Sequence, residues 1–143
     1  MSAVRELDLA QVNARWGRDA SALVEWAVGL GQPTIVTTSF RPFEAVLLHL
    51  VTRVNPQVPV VWMDNGYNTE ATYRFADEVT KQLGLNLKIY LPRRSRAHRE
   101  AVEGATPALH DPRHAAFTAE VKLEPFARAL RETAPEVWFT ALR

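Results

Sequence analysis

The 143-residue chain carries 17 lysines and arginines against 16 aspartates and glutamates, a net charge of +1. That balance speaks against a nucleic-acid coat or a polybasic membrane binder, and no stretch approaches the roughly 20 apolar residues that span a bilayer. There is no cysteine, which excludes from this chain disulfides, thiolate catalysis, cysteine-ligated zinc and cysteine-held iron–sulfur clusters.

The segment Met1 to Leu9 is charged where a signal peptide would be apolar, so a soluble, cytoplasmic, single domain is expected. Its first part, residues 1–33, reads as helical. The spacing predicts helices over Leu7–Trp16 and Ala20–Leu30, with Leu23, Trp26, Ala27 and Leu30 on one stripe. Residues 34–143 read as an α/β core. Thr34–Thr38 is short and β-branched, hence a strand. Pro42 suits a first helical position, and Phe43, Val46, Leu47, Leu50, Val51 and Val54 form the stripe of the helix that follows. Val58–Met63 is continuously apolar, as in a strand covered on both faces. Asn68 and Thr69 can cap a helix that Gly84 stops. Leu85–Leu91 alternates, which predicts a strand nearer the sheet edge. Pro92–Pro112 reads as a long, polar surface loop with some helix. Ala115–Leu130 is helical, with Pro125 predicting a break or two abutting helices. Val137–Thr140 is a fourth strand.

Strands alternating with helices imply a parallel, twisted sheet with helices on both faces, and such sheets bind ligands beyond the carboxyl ends of their strands. The clusters expected there are Ser39-Phe40-Arg41, Asp64-Asn65-Gly66-Tyr67, Pro92-Arg93-Arg94 and Thr140–Arg143. Their N–H groups, carboxylate, aromatic rings and guanidiniums suit a phosphate-bearing nucleotide. Asp64 is placed either for a nucleoside or for a turn, and Lys122 either for an anion or for solvent. Arg93, Arg94, Arg96 and Arg99 make a basic stretch, solvated or phosphate-facing. His110, Asp111 and His114 have a metal-like spacing, but Pro112 interrupts a common helix face and no third ligand is apparent. The four tryptophans lie in apolar patterns, and core packing is expected of them.

Four segments carry a family resemblance. Thr38-Ser-Phe-Arg-Pro-Phe-Glu-Ala-Val-Leu-Leu-His49 resembles a modified pyrophosphate-binding loop, Ser-Phe-Gly followed by a helix. Asp64-Asn-Gly-Tyr-Asn-Thr-Glu-Ala-Thr-Tyr-Arg-Phe75 resembles an Asp-Thr-Gly-Tyr…Glu-Thr-Tyr-Arg-Phe segment. Lys122-Leu-Glu-Pro125 is similar to Lys-Val-Glu-Pro, and Trp138-Phe-Thr-Ala-Leu-Arg143 to Trp-Phe-x-Gly-Leu-Arg-Arg. In this order and spacing they resemble the phosphoadenosine phosphosulfate (PAPS) reductase family, of the adenine-nucleotide α-hydrolase-like, PP-loop-related fold.

The resemblance implies an oxidoreductase of sulfate assimilation that reduces PAPS to sulfite and adenosine 3′,5′-bisphosphate. Thioredoxin, or glutaredoxin, is the external reductant, and dimers are frequent in the family. It implies phosphate binding by Ser39, Phe40 and Arg41, nucleoside recognition by Asp64, a backbone role for Gly66, and anion contacts by Lys122 and Arg143. Arg41 stands where the family has glycine; it either contacts the anion or fills the site. Glu44 adds a charge that favours the helix and disfavours a bound phosphate. The family nucleophile lies in a C-terminal Glu-Cys-Gly-x-His motif, and this chain ends before it. No catalytic residue is therefore assigned, and the chain is expected to supply nucleotide binding alone, as a fragment or a shortened paralogue. Phe117-Thr118 occupy the positions where a related branch holds an iron–sulfur cluster through a cysteine pair, so no cluster is expected. The alternative is a non-catalytic nucleotide-binding or regulatory paralogue. An adenylyltransferase of the same fold would need a Ser-Gly-Gly-Lys-Asp-Ser-type loop, which is absent.

Overall fold

Short β-branched runs build the centre of the molecule, described over residues 7–141 of a computed structural model. The strands are β1 (Thr34–Thr38), β2 (Pro59–Met63), β3 (Asn86–Tyr90) and β4 (Val137–Phe139). They form one parallel sheet in the order β3-β2-β1-β4. Val36 sits beside Val60, Trp62 beside Ile89, and Ile35 beside Trp138. The alternating strand is thus at an edge, as its pattern predicts, and the continuously apolar one is inside.

The helices are α1 (Leu9–Trp16), α2 (Ala20–Gly29), α3 (Glu44–Val54), α4 (Glu70–Leu83), α5 (Arg96–Glu103), α6 (His114–Thr118) and α7 (Glu124–Thr133). A π-helical turn, Ala119–Leu123, joins α6 to α7. On one face of the sheet, Val36, Val60 and Trp62 pack with Val24 of α2, Leu48 and Val51 of α3, and Ala76 and Val79 of α4. On the other face, Ile35, Val61 and Tyr90 pack against Ala129 of α7. Val36, Val60 and Val61 are fully buried, each contributing roughly 1.5–3 kcal/mol of burial. The expected caps form: the Thr69 hydroxyl accepts from Thr72 N–H at 3.2 Å, and Gly84 ends α4 with φ 60°.

The structure departs from the sequence reading in two places and gives detail to it in two more. Helix α3 starts at Glu44, not Pro42. Phe40, at φ 54°, lies in the left-handed region, and a turn closed by Glu44 N–H on the Arg41 carbonyl at 2.9 Å precedes the helix. The expected polar loop contains α5, capped by Ser95, whose hydroxyl accepts from His98 N–H at 3.2 Å. Its inward residue is an arginine, Arg99, only 2% exposed. Pro125 enters α7 directly after the π-turn, where Glu124 N–H bonds back to the Ala119 carbonyl, so the abutting-helix reading holds with the π-turn as the joint. Trp138 is 48% exposed on the edge strand rather than in the core, its indole N–H donating to the Thr37 hydroxyl at 2.9 Å.

Candidate functional site

Parallel strands deliver their carboxyl ends to one rim, and the loops after β1 and β2 enclose a cleft of about 380 Å³ there. Thr38, Ser39, Phe40, Arg41 and Pro42 line it on the β1 side, Trp62 and Met63 at the end of β2, then Asn65, Asn68 and Thr72. Lys122 of the π-turn completes the wall. The size falls in the range of small-ligand pockets. Another depression, of about 300 Å³, lies between α2 and α3 beside Glu25 and Arg53, away from the strand ends.

The β1–α3 loop is tied down by Glu44. One carboxylate oxygen, Oε2, accepts from the Thr38 hydroxyl at 2.7 Å, Ser39 N–H at 2.7 Å and Arg41 N–H at 3.3 Å. The other, Oε1, accepts from the Ser39 hydroxyl at 2.9 Å. Phe40 N–H donates to the Thr38 hydroxyl oxygen at 2.9 Å. The left-handed residue is Phe40, not Arg41, so conformation alone does not demand a glycine at 41. Left-handed backbone costs an L-residue roughly 1–2 kcal/mol. Phe40 offsets that by burial at 3% exposure and an edge-on contact with Trp62, centroids 4.9 Å apart.

The β2–α4 loop is organised by Asp64. Its Oδ1 accepts from Gly66 N–H at 2.9 Å, the Asn68 side-chain amide at 3.0 Å and the Tyr73 hydroxyl at 2.8 Å. Burial, then the Asp64 carboxylate, pushes the Tyr73 phenol above its ordinary pKa. Gly66, at φ 81°, makes the turn that a side chain would strain. Tyr67 then packs into the arginine stretch. Arg99 Nε donates to its hydroxyl at 2.8 Å, and Arg96 lies over its ring at 4.8 Å. Arg99 also covers Phe117 at 4.5 Å.

Cations elsewhere in this arm are paired. Arg94 grips both oxygens of Glu120 at 2.6 Å and also reaches Glu103 at 2.5 Å. The guanidinium holds the Glu120 carboxyl below its ordinary pKa. Arg93 and Arg128 share Glu124, at 3.4 and 3.2 Å, and Arg128 first, then Arg93, lowers that carboxyl's pKa as well. Lys122 is exposed and has no ion-pair or hydrogen-bond partner among the described residues.

Of the residues singled out in the sequence, Ser39, Phe40, Arg41 and Lys122 therefore line one cleft. Asp64 and Gly66 shape the loop behind Asn65 rather than the wall itself, and Arg143 lies outside the described residues. Asn65 belongs to a cluster expected at this rim, whereas Asn68 and Thr72 do not; the one signal for these two is their spacing after a strand end. Among the described residues no group of three or more His, Asp or Glu is placed to hold a metal ion, and no helix is long and apolar enough to cross a membrane.

Comparison with known proteins bears on the whole rim. The sequence profile of the phosphoadenosine phosphosulfate reductase domain matches residues 33–143. The chain belongs to the PAPS reductase family. The match begins one residue before β1, at Pro33. Among curated relatives, a phosphoadenosine 5′-phosphosulfate reductase of Synechococcus sp. is 37% identical over 140 residues, covering 94% of this chain and 60% of the relative. One from Synechocystis sp. is 40% identical over 126 residues, covering 87% and 51%. The chain thus spans between half and two thirds of the length of these relatives. In fold it is similar to the crystal structure of a PAPS reductase from Candida auris in complex with phosphate, with a TM-score of 0.81 at 23% identity, over 94% of this chain and 66% of that one.

Proposed function

We propose that the cleft is a nucleotide site, taking PAPS or adenosine 3′,5′-bisphosphate, in a protein of sulfate assimilation. One observation carries this: two segments far apart in sequence, Ser39–Arg41 and Lys122, wall one cleft at the strand ends of a PAPS reductase family domain. Asn65 and Asn68 offer amides for the polar edge of a base, and Arg41 and Lys122 cations for phosphate oxygens.

The parent activity in this reading is thioredoxin-dependent reduction of PAPS. A thiolate attacks the sulfonate sulfur, the bond from sulfur to the phosphate oxygen breaks, and adenosine bisphosphate leaves. The resulting S-sulfonated thiol is then reduced by a dithiol, which becomes a disulfide as sulfite is released. This chain contains no cysteine, so in this reading its 143 residues form one binding domain and the thiol comes from outside it. Thioredoxin, a second copy of the chain and a cytoplasmic setting belong to the same proposal.

Calorimetry with adenosine 3′,5′-bisphosphate is the test, with a Kd tighter than about 1 mM, or −4.1 kcal/mol, expected. Weaker binding overturns the reading. The division of labour is checked separately: this chain, given PAPS and reduced thioredoxin, is expected to release no sulfite. Arg41 in place of the family's glycine favours a second reading, a non-catalytic nucleotide-binding or regulatory paralogue, which predicts the same binding and no activity even in its full natural context.

A further inference from the structure

We infer that Glu44 sets which part of the ligand the β1–α3 loop accepts. Its carboxylate consumes the loop's backbone and hydroxyl donors, so Ser39 meets a ligand hydroxyl or amino group, while phosphate is left to the Arg41 guanidinium and Lys122. The inference rests on the nucleotide reading of the cleft and assigns an orientation within it.

A loop between a strand and a helix N-terminus ordinarily offers N–H groups to an anion. Here the anion is built in. Ser39 N–H, Arg41 N–H and the hydroxyls of Thr38 and Ser39 all donate to Glu44, and Phe40 N–H is taken by Thr38. Glu44 does not line the cleft, whereas Ser39 does. The donors are therefore drawn toward the back of the wall. With its proton directed at Glu44, the Ser39 oxygen keeps its lone pairs for a donor on the ligand. A phosphate oxygen has no proton to give and would face both that lone pair and the Glu44 charge behind it. The cleft's cationic side chains differ from these donors, because neither the Arg41 guanidinium nor Lys122 has a carboxylate partner among the described residues.

The test uses the full 143-residue chain and inorganic phosphate, followed by amide chemical-shift titration at Ser39 and Arg41. Glu44→Ala is expected to bind phosphate at this loop about tenfold more tightly than the unaltered chain, because charge-assisted N–H bonds become available. Glu44→Gln removes the charge while keeping an oxygen for Ser39 N–H; it is expected to fold and to show a smaller gain of about threefold. Should Glu44→Ala fail to fold, the glutamine variant decides. An unchanged or lower phosphate affinity in the folded variant overturns the inference. So does phosphate binding in the unaltered chain that moves the Ser39 amide as strongly as in the variants. Failure of adenosine bisphosphate to bind any form sinks the nucleotide reading instead, which is a different result in a different titration.

Discussion

The arginine stretch around α5 and the single lysine of the π-turn both read in the sequence as candidate anion binders, and the structure gives them opposite states. Arg94 is held by Glu120 and Glu103, and Arg99 is buried against Tyr67 and Phe117. Lys122 stands open on the cleft. Four arginines close in sequence thus serve the fold, and a lone lysine serves the surface. The number of cations in a stretch says little about ligand binding; what counts is whether a carboxylate or a ring has already engaged them.

The sharpest way to break this contrast is to remove Arg99. Truncation to alanine deletes charge-assisted bonds to Tyr67, the stacking on Phe117 and the buried stem together. Arg99→Ala is expected to cost about 3 kcal/mol in urea unfolding. A loss below about 0.5 kcal/mol would show that the arm is not held by it. The counterpart is Lys122→Ala. Here affinity for adenosine 3′,5′-bisphosphate is expected to fall by roughly 1–3 kcal/mol by calorimetry, with the thermal midpoint unmoved. An unchanged affinity would remove Lys122 from the site.

Between the two regions lies the turn that delivers Tyr67 to the arginines. Gly66→Ala places a side chain at φ 81°, where the new Cβ would make only an ordinary 3.5 Å contact with Arg96. The expected cost is therefore conformational, about 1 kcal/mol of stability. The smallest effect is one of pH. Glu120, held by Arg94, ionises below its unfolded value. Its contribution is present above the unfolded pKa and lost as pH falls through the folded one. A carboxyl-carbon NMR titration is expected to show that depressed midpoint, and Arg94→Ala to return it to the ordinary range.

Much of the fold was legible because its determinants are local or periodic. Thr34–Thr38 and Val58–Met63 announce strands by β-branching, Thr69 and Gly84 bracket α4, and the alternation of Leu85–Leu91 marks an edge. The cleft wall was legible at Ser39–Arg41 because a strand-turn-helix signature is short. What stayed hidden depends on long side chains folding back. Glu44 read as a first-turn charge opposed to phosphate, yet nothing in the sequence shows it turning onto Thr38, Ser39 and Arg41. The bounds of α5 escaped, in a stretch read only as a polar loop with some helix, because its inward position is Arg99 and hydrophobic periodicity is blind to a guanidinium packed between rings. Trp138 misled in the opposite direction: an apolar run does not reveal that its strand has one neighbour.

That last strand has a kinetic consequence. The Trp138–Thr37 bond joins residues 101 positions apart, so β4 closes the longest loop in the sheet for only three residues of ladder. Loop-closure entropy of that kind delays docking and favours early opening. Backbone amides of 137–139 should therefore exchange with deuterium well before those of 60–62, leaving the rim formed by β1 and β2 assembled while the far margin of the sheet breathes.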